Sequence, residues 1–141
     1  MFKIIIVDDE PLIVKGLSKI IRSRMEDVEI VATAQSAHQA YEAIIRYQPD
    51  LVITDIEMAG ENGLSLPEEM AGMENRPSFV VISGYNRFEY AQRALRSGVD
   101  NYLLKPIDED ELISVLTGLF SQIRAKHELD IQSASKEAAA I

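Results

Sequence analysis

Cysteine is absent from the chain, which excludes disulfides and thiolate metal sites and leaves the compartment unconstrained by redox chemistry. Long apolar runs are missing as well: the apolar stretches are short and strand-like, far below membrane-spanning length. The apolar run after Lys3 is cut off by acids, so no signal peptide is read and a cytoplasmic protein is expected. Positive charge is scarce. Lys and Arg number 14 against 23 Asp and Glu, a net charge of −9, which argues against direct contact of this chain with nucleic acid or an anionic membrane. What is present is ordinary: an apolar share of 47% and a charged share of 26% suit a soluble globular protein. The 141 residues suffice for one domain with one sizeable core.

Apolar strand-like runs alternate with amphipathic stretches along the chain. "KIIIV" (3–7) precedes a helical pattern with Pro11 in its first turn and Leu12, Ile13, Leu17, Ile20 and Ile21 at helical spacing. "VEIVATA" (28–34) predicts a strand, then "SAHQAYEAIIRY" a helix with Ser36 as N-cap. "DLVITD" (50–55) is the third strand, and "NGLSLPEEMAGM" a weaker helical pattern disturbed by Pro67. "SFVVIS" (78–83) and "VDNYLLK" (99–105) are the fourth and fifth strands, with a helix between them that Gly98 closes. The last helix places Leu112, Leu116, Leu119, Phe120 and Ile123 on one face and acids in its first turn, where the dipole favours them. Five βα units predict an α/β three-layer sandwich, a doubly wound parallel sheet with helices on both faces. Periodicity leaves the strand order open. Beyond Lys126 the apolar stripe fails, so residues 125–141 are expected to be a helix extension or linker, not a second domain.

Chemistry collects at the strand ends. The first strand ends in Asp8 and Asp9, the third in Asp55, the fourth in Ser83 and the fifth in Lys105, followed by Pro106. Parallel strands would bring all of these to one edge of the sheet. Taken singly, each has a bland reading: a strand-end acid is usually a solvated turn residue, Ser83 a turn hydroxyl, Lys105 an exposed lysine and Tyr102 a packing residue. Together they define a candidate site. Three mutually repelling carboxylates call for a hard cation such as Mg²⁺, which keeps waters free for a phosphate. A carboxylate beside that ion can act as a nucleophile towards phosphorus, Lys105 can neutralise phosphoryl charge and Ser83 can donate a hydrogen bond to it. His38 and His127 sit in polar helical contexts without metal-ligand spacing and read as solvated.

In combination, "IIIVDDEP", "PDLVITDIEM…NGL", "VVISGY" and "GVDNYLLKP" resemble the response-regulator receiver domain of bacterial two-component systems, over about residues 2 to 124. The resemblance implies a flavodoxin-like (βα)5 fold with strand order 2-1-3-4-5. It implies a phosphoprotein of signal transduction, not an enzyme acting on a separate substrate, in which Asp55 accepts a phosphoryl group from a sensor histidine kinase. It assigns Asp9 and Asp55 to direct Mg²⁺ coordination, the backbone carbonyl of Glu57 as a third ligand and Asp8 as a ligand through water. Lys105 would be the phosphate partner, Ser83 and Tyr102 the switch pair, and the Lys105–Pro106 bond cis. Phosphorylation is expected to favour self-association, as a homodimer, through the fourth helix, fifth strand and fifth helix, and the oligomeric state of the isolated domain is left open.

The stretch "SGYNRFEYAQRALRSGVDNYLLKPID" is similar to receivers that carry a helix-turn-helix module of the arabinose-regulator type. On that reading the chain is a truncated regulator of transcription, and DNA would be met only through the missing output domain. Two departures stand out: Ala59 where the family usually has Pro, and Glu57, long and acidic beside the expected metal. Three rivals fit less well. A haloacid-dehalogenase-type phosphatase carries D-x-D after its first strand, whereas here the nucleophile candidate follows the third strand, position 57 is Glu and there is no cap insertion. A flavin carrier needs a phosphate-cradling loop where this chain has acids. A pseudo-receiver usually lacks a key residue, and none is lacking here.

Overall fold

Alternation along each strand explains the layers. The computed structural model describes residues 1–58, 61–84 and 88–140. Strand β1 (Phe2–Val7) carries Ile4 and Ile6 into one apolar core and Ile5 and Val7 into another, all closed to solvent. Strands β2 (Val28–Ala34), β3 (Leu51–Asp55), β4 (Ser78–Ser83) and β5 (Asn101–Leu104) all pair in parallel, in the order β2-β1-β3-β4-β5. This is the expected order 2-1-3-4-5. A short antiparallel ribbon, Glu57–Met58 with Glu61–Asn62, stands apart from the sheet directly after β3.

Helices cover both faces because central parallel strands are apolar on both. On one face α1 (Pro11–Arg24) and α5 (Glu109–Ala140) pack Leu17, Ile21, Leu112, Leu116 and Phe120 onto Ile4, Ile6, Ile53, Val80 and Ile82. On the other, α2 (Ala37–Tyr47) and α3 (Ser65–Glu69) bring Ala40, Ile44 and Leu66, with Met70 just beyond α3, onto Ile5, Val7, Val52 and Phe79. A third cluster of Ile56, Leu64, Val81 and Ala94, flanked by Tyr90 and Tyr102, holds α4 (Phe88–Arg96).

Local signals end most elements where the sequence predicts. Pro11 opens α1, and Ser36 Oγ accepts the Gln39 amide at 3.1 Å to cap α2. Asp108 Oδ1 accepts the Glu111 amide at 3.0 Å at the start of α5. Gly98, just past α4, adopts φ +74°, a conformation that costs glycine little. Two expectations need correction. Leu12, placed on the core stripe of α1 by periodicity, is 80% exposed, because the stripe runs through Leu17, Ser18 and Ile21 while Leu12 lies in the first turn. The pattern read over "NGLSLPEEMAGM" yields only the five residues of α3, in keeping with Pro67 having no amide to donate. Helix α5 continues through residue 125 to Ala140, with Leu129 and Ile131 exposed. No helix of the described residues is long and apolar enough to cross a membrane.

Acids at the amino edge of the sheet serve the backbone. Asp50 Oδ2 accepts the Lys3 amide and Asp100 Oδ2 the Phe79 amide, each at 2.8 Å, so two carboxylates extend the strand ladders. At the carboxyl edge the acids face one another instead.

Candidate functional site

Asp8 follows β1 directly and Asp55 ends β3, the strand beside it, so parallel pairing alone brings the two carboxylates together. Asp8, Asp9 and Asp55 each present a carboxylate oxygen, and these oxygens lie within 4.8 Å of one another. Asp8 and Asp55 are only 2% and 3% exposed, so their charges are held where water solvates them poorly. Each also accepts an amide from two residues ahead: Glu10 N–H donates to Asp8 Oδ1 at 2.9 Å and Glu57 N–H to Asp55 Oδ1 at 3.3 Å.

Lys105 enters from the end of β5. Its backbone amide donates to the Ser83 carbonyl at 2.8 Å, and the peptide to Pro106 is cis. The ammonium donates to Asp55 Oδ2 at 3.2 Å and lies 3.7 Å from Asp8 Oδ2. Burial pushes the Asp55 carboxyl above its usual range; Lys105 and the Glu57 amide oppose this, while Asp9 adds to it. Burial likewise raises the Asp8 carboxyl against the pull of the Glu10 amide, with Asp55 adding to the rise. Burial alone would lower the Lys105 ammonium, yet Asp55 and Asp8 more than offset it and raise it. Among the described residues, the Lys105 ammonium pairs with two of the three clustered carboxylates, Asp55 and Asp8. An all-oxygen donor set of this charge and spacing fits a small hard divalent cation such as Mg²⁺.

The remaining predicted residues surround this centre. Ser83, fully buried at the end of β4, donates its hydroxyl to Glu57 Oε1 at 3.2 Å. Tyr102 lies outside the carboxylate cluster, half-buried on β5 against the group formed by Ile56, Leu64, Val81 and Ala94. Ala59, and Tyr85 of the "VVISGY" motif, lie outside the described residues.

Two features escape a strand-end reading. The first is the Glu57 carboxylate, which reaches Ser83 across the end of the sheet; its only sequence signal is an acid two places after Asp55. The second is Gly63. Its amide donates to the Ile56 carbonyl at 2.7 Å, and a Cβ there would sit 1.8 Å from the Asp55 carbonyl oxygen. That close approach locks the loop after β3 against the backbone of Asp55, and a lone Gly in "NGL" is a weak sign of it.

Residues 4–117 match the family model of the response regulator receiver domain, and the chain belongs to that family. It is 38% identical to the uncharacterized transcriptional regulatory protein YesN of Bacillus subtilis, across 92% of this chain and 38% of that protein. It is 37% identical to the transcriptional regulatory protein HptR of Staphylococcus aureus, across 82% of this chain and 45% of that protein. The chain thus spans less than half the length of these curated relatives. Among solved structures it is similar to the REC domain of AraT, a response regulator from Geobacillus stearothermophilus. The TM-score is 0.80 and the identity 32%, over 89% of this chain and 98% of that one.

Proposed function

We propose that this receiver domain takes a phosphoryl group onto Asp55 from a phosphohistidine of a sensor histidine kinase. A bond forms between a carboxylate oxygen of Asp55 and phosphorus as the phosphorus–nitrogen bond breaks, and the histidine departs with its electron pair. One observation carries the reading: Asp55 is buried at a strand end with Lys105 at 3.2 Å and two further carboxylates gathered around it. Asp9 and Asp55 would hold Mg²⁺ directly, with the Glu57 carbonyl as a third ligand and Asp8 acting through water. Bound there, the ion supplies charge neutralisation between carboxylates and phosphoryl oxygens. Lys105 offsets negative charge on the incoming group, and Ser83 offers it a hydroxyl proton. The role is signalling, not turnover of a small molecule. Incubation with acetyl phosphate and Mg²⁺ should add one phosphoryl group to the intact mass, in a linkage that hydroxylamine cleaves. A mass that does not change overturns the assignment.

The metal assignment has its own test. Mg²⁺ stabilises a fold that binds it in proportion to occupancy, by RT ln(1 + [L]/Kd). Removing one direct ligand of such a site should therefore erase most of that gain. The Mg²⁺-dependent rise in melting temperature should be clear in the parent and largely absent in Asp9→Ala. An equal increment in both rules out direct coordination by Asp9.

For output, Ser83 moving towards a phosphoryl group would leave space into which Tyr102 turns, altering the face formed by α4, β5 and α5. Leu95 on α4 is 78% exposed and Leu104 on β5 41%, so this face carries apolar surface that a second copy would cover. Beryllofluoride with Mg²⁺ should shift the Tyr102 resonances and promote association in sedimentation velocity. Unmoved Tyr102 signals with the mimic bound disprove the coupling. The longer relatives named as transcriptional regulators support an output module in this protein too, and the stretch through "NYLLKPID" favours the arabinose-regulator type of helix-turn-helix. Such a regulator would work in the cytoplasm.

A further inference from the structure

Glu57 is tied into the site at both ends. Its amide donates to Asp55 Oδ1 at 3.3 Å, and its carboxylate oxygen Oε1 accepts the hydroxyl of Ser83 at 3.2 Å. The other oxygen, Oε2, lies over Gly84, 3.9 Å from where a Cβ on that glycine would stand. Ser83 is fully buried, so its hydroxyl cannot turn to bulk water instead. A hydroxyl has one proton to donate, and a carboxylate can only accept. We propose that Glu57 is a positioning residue that holds the Ser83 hydroxyl in the unmodified domain, so that an anion on Asp55 must take this proton from a competing carboxylate.

This rests on Asp55 as the phosphoacceptor. The anion and the Glu57 carboxylate want the same proton and repel each other, so occupation of Asp55 and the Glu57–Ser83 hydrogen bond exclude one another. Glu57 then sets how strongly the site must be charged before Ser83 is released. In a site lacking the Glu57 carboxylate, the hydroxyl no longer has this acceptor to leave.

A double-mutant cycle separates this from simple charge repulsion. The probe is beryllofluoride with Mg²⁺, its affinity read by fluorine NMR, with Asp55→Asn as the blank. Glu57→Ala should tighten binding about tenfold, the scale of one hydrogen bond to a charged acceptor. In a Ser83→Ala background the same substitution should gain clearly less, because only the repulsion is relieved and no proton is left to compete for. Glu57→Gln, which keeps an acceptor but loses the charge, should fall between. In metal-free, probe-free protein, Glu57→Ala should also move the Ser83 resonances towards their beryllofluoride-bound positions. An equal gain in both backgrounds makes Glu57 a source of repulsion alone and overturns the proposal, as does no gain in either. A parent that binds no beryllofluoride, or binds it equally in Asp55→Asn, defeats the phosphoacceptor reading itself and this proposal with it.

Discussion

Asp55→Asn should leave the protein with no phosphoryl adduct after treatment with acetyl phosphate and Mg²⁺, while the parent gains one group. The amide nitrogen is a poor nucleophile towards phosphorus, and of the two carboxylates that Lys105 pairs with, Asp55 is the nearer, at 3.2 Å against 3.7 Å for Asp8. An adduct that persists in the variant would move the nucleophile elsewhere. The substitution should also stabilise the metal-free fold. Burial raises the Asp55 carboxyl above its ordinary value of 3.8 despite Lys105, so ionisation costs the folded state more than the unfolded one. The stability tied to this group is present below the ordinary value and lost as pH climbs through the raised one. Asparagine stays neutral throughout. The variant should therefore melt above the parent at neutral pH in chelator, with the gap closing below the ordinary value and narrowing when Mg²⁺ is added. A parent that melts above the variant in chelator would show that the Lys105 pairing outweighs burial.

Gly63→Ala should cost about 3 kcal/mol, the upper range for a single substitution that forces a backbone to move. The new Cβ would meet the Asp55 carbonyl oxygen at 1.8 Å, its carbon at 2.9 Å and Thr54 Oγ1 at 3.1 Å. Neither side can yield cheaply. Asp55 is paired in register with Ile82, the Ile56 amide donates to the Ile82 carbonyl, and the Gly63 amide is bound to Ile56. Relief must come from peeling the loop away from β3, which also displaces the Glu57 amide from Asp55. A fall in Tm of roughly 10 °C is expected for a domain of this size, together with slower labelling by acetyl phosphate. Gly118→Ala is the control: nothing lies within 4 Å of a Cβ there, and the position is inside α5. That change should raise stability by about 0.5–1 kcal/mol. Equal behaviour of the two variants would refute the close approach.

The amino-acid pattern by itself determined a great deal. Near-continuous apolar runs such as "IIIV" and "LVIT" must be buried on both faces, which makes the sheet parallel and puts helices on both sides. Parallel strands then force Asp8, Asp55, Ser83 and Lys105 to one edge, because each is the residue at which its run stops. That logic needs only periodicity and direction, and both are local properties of the chain. Tertiary structure decided what depends on neighbours distant in sequence. Leu12 fits a helical stripe yet meets no core, since the stripe's angle is set by where the sheet lies. Gly63 is ordinary in sequence and irreplaceable in space, because the Asp55 carbonyl arrives from another element. Glu57 and Ser83 are 26 residues apart, and their hydrogen bond exists only because β3 and β4 pair in register. A residue's type can be read along the chain, but which proton it competes for is set by what the fold lays beside it.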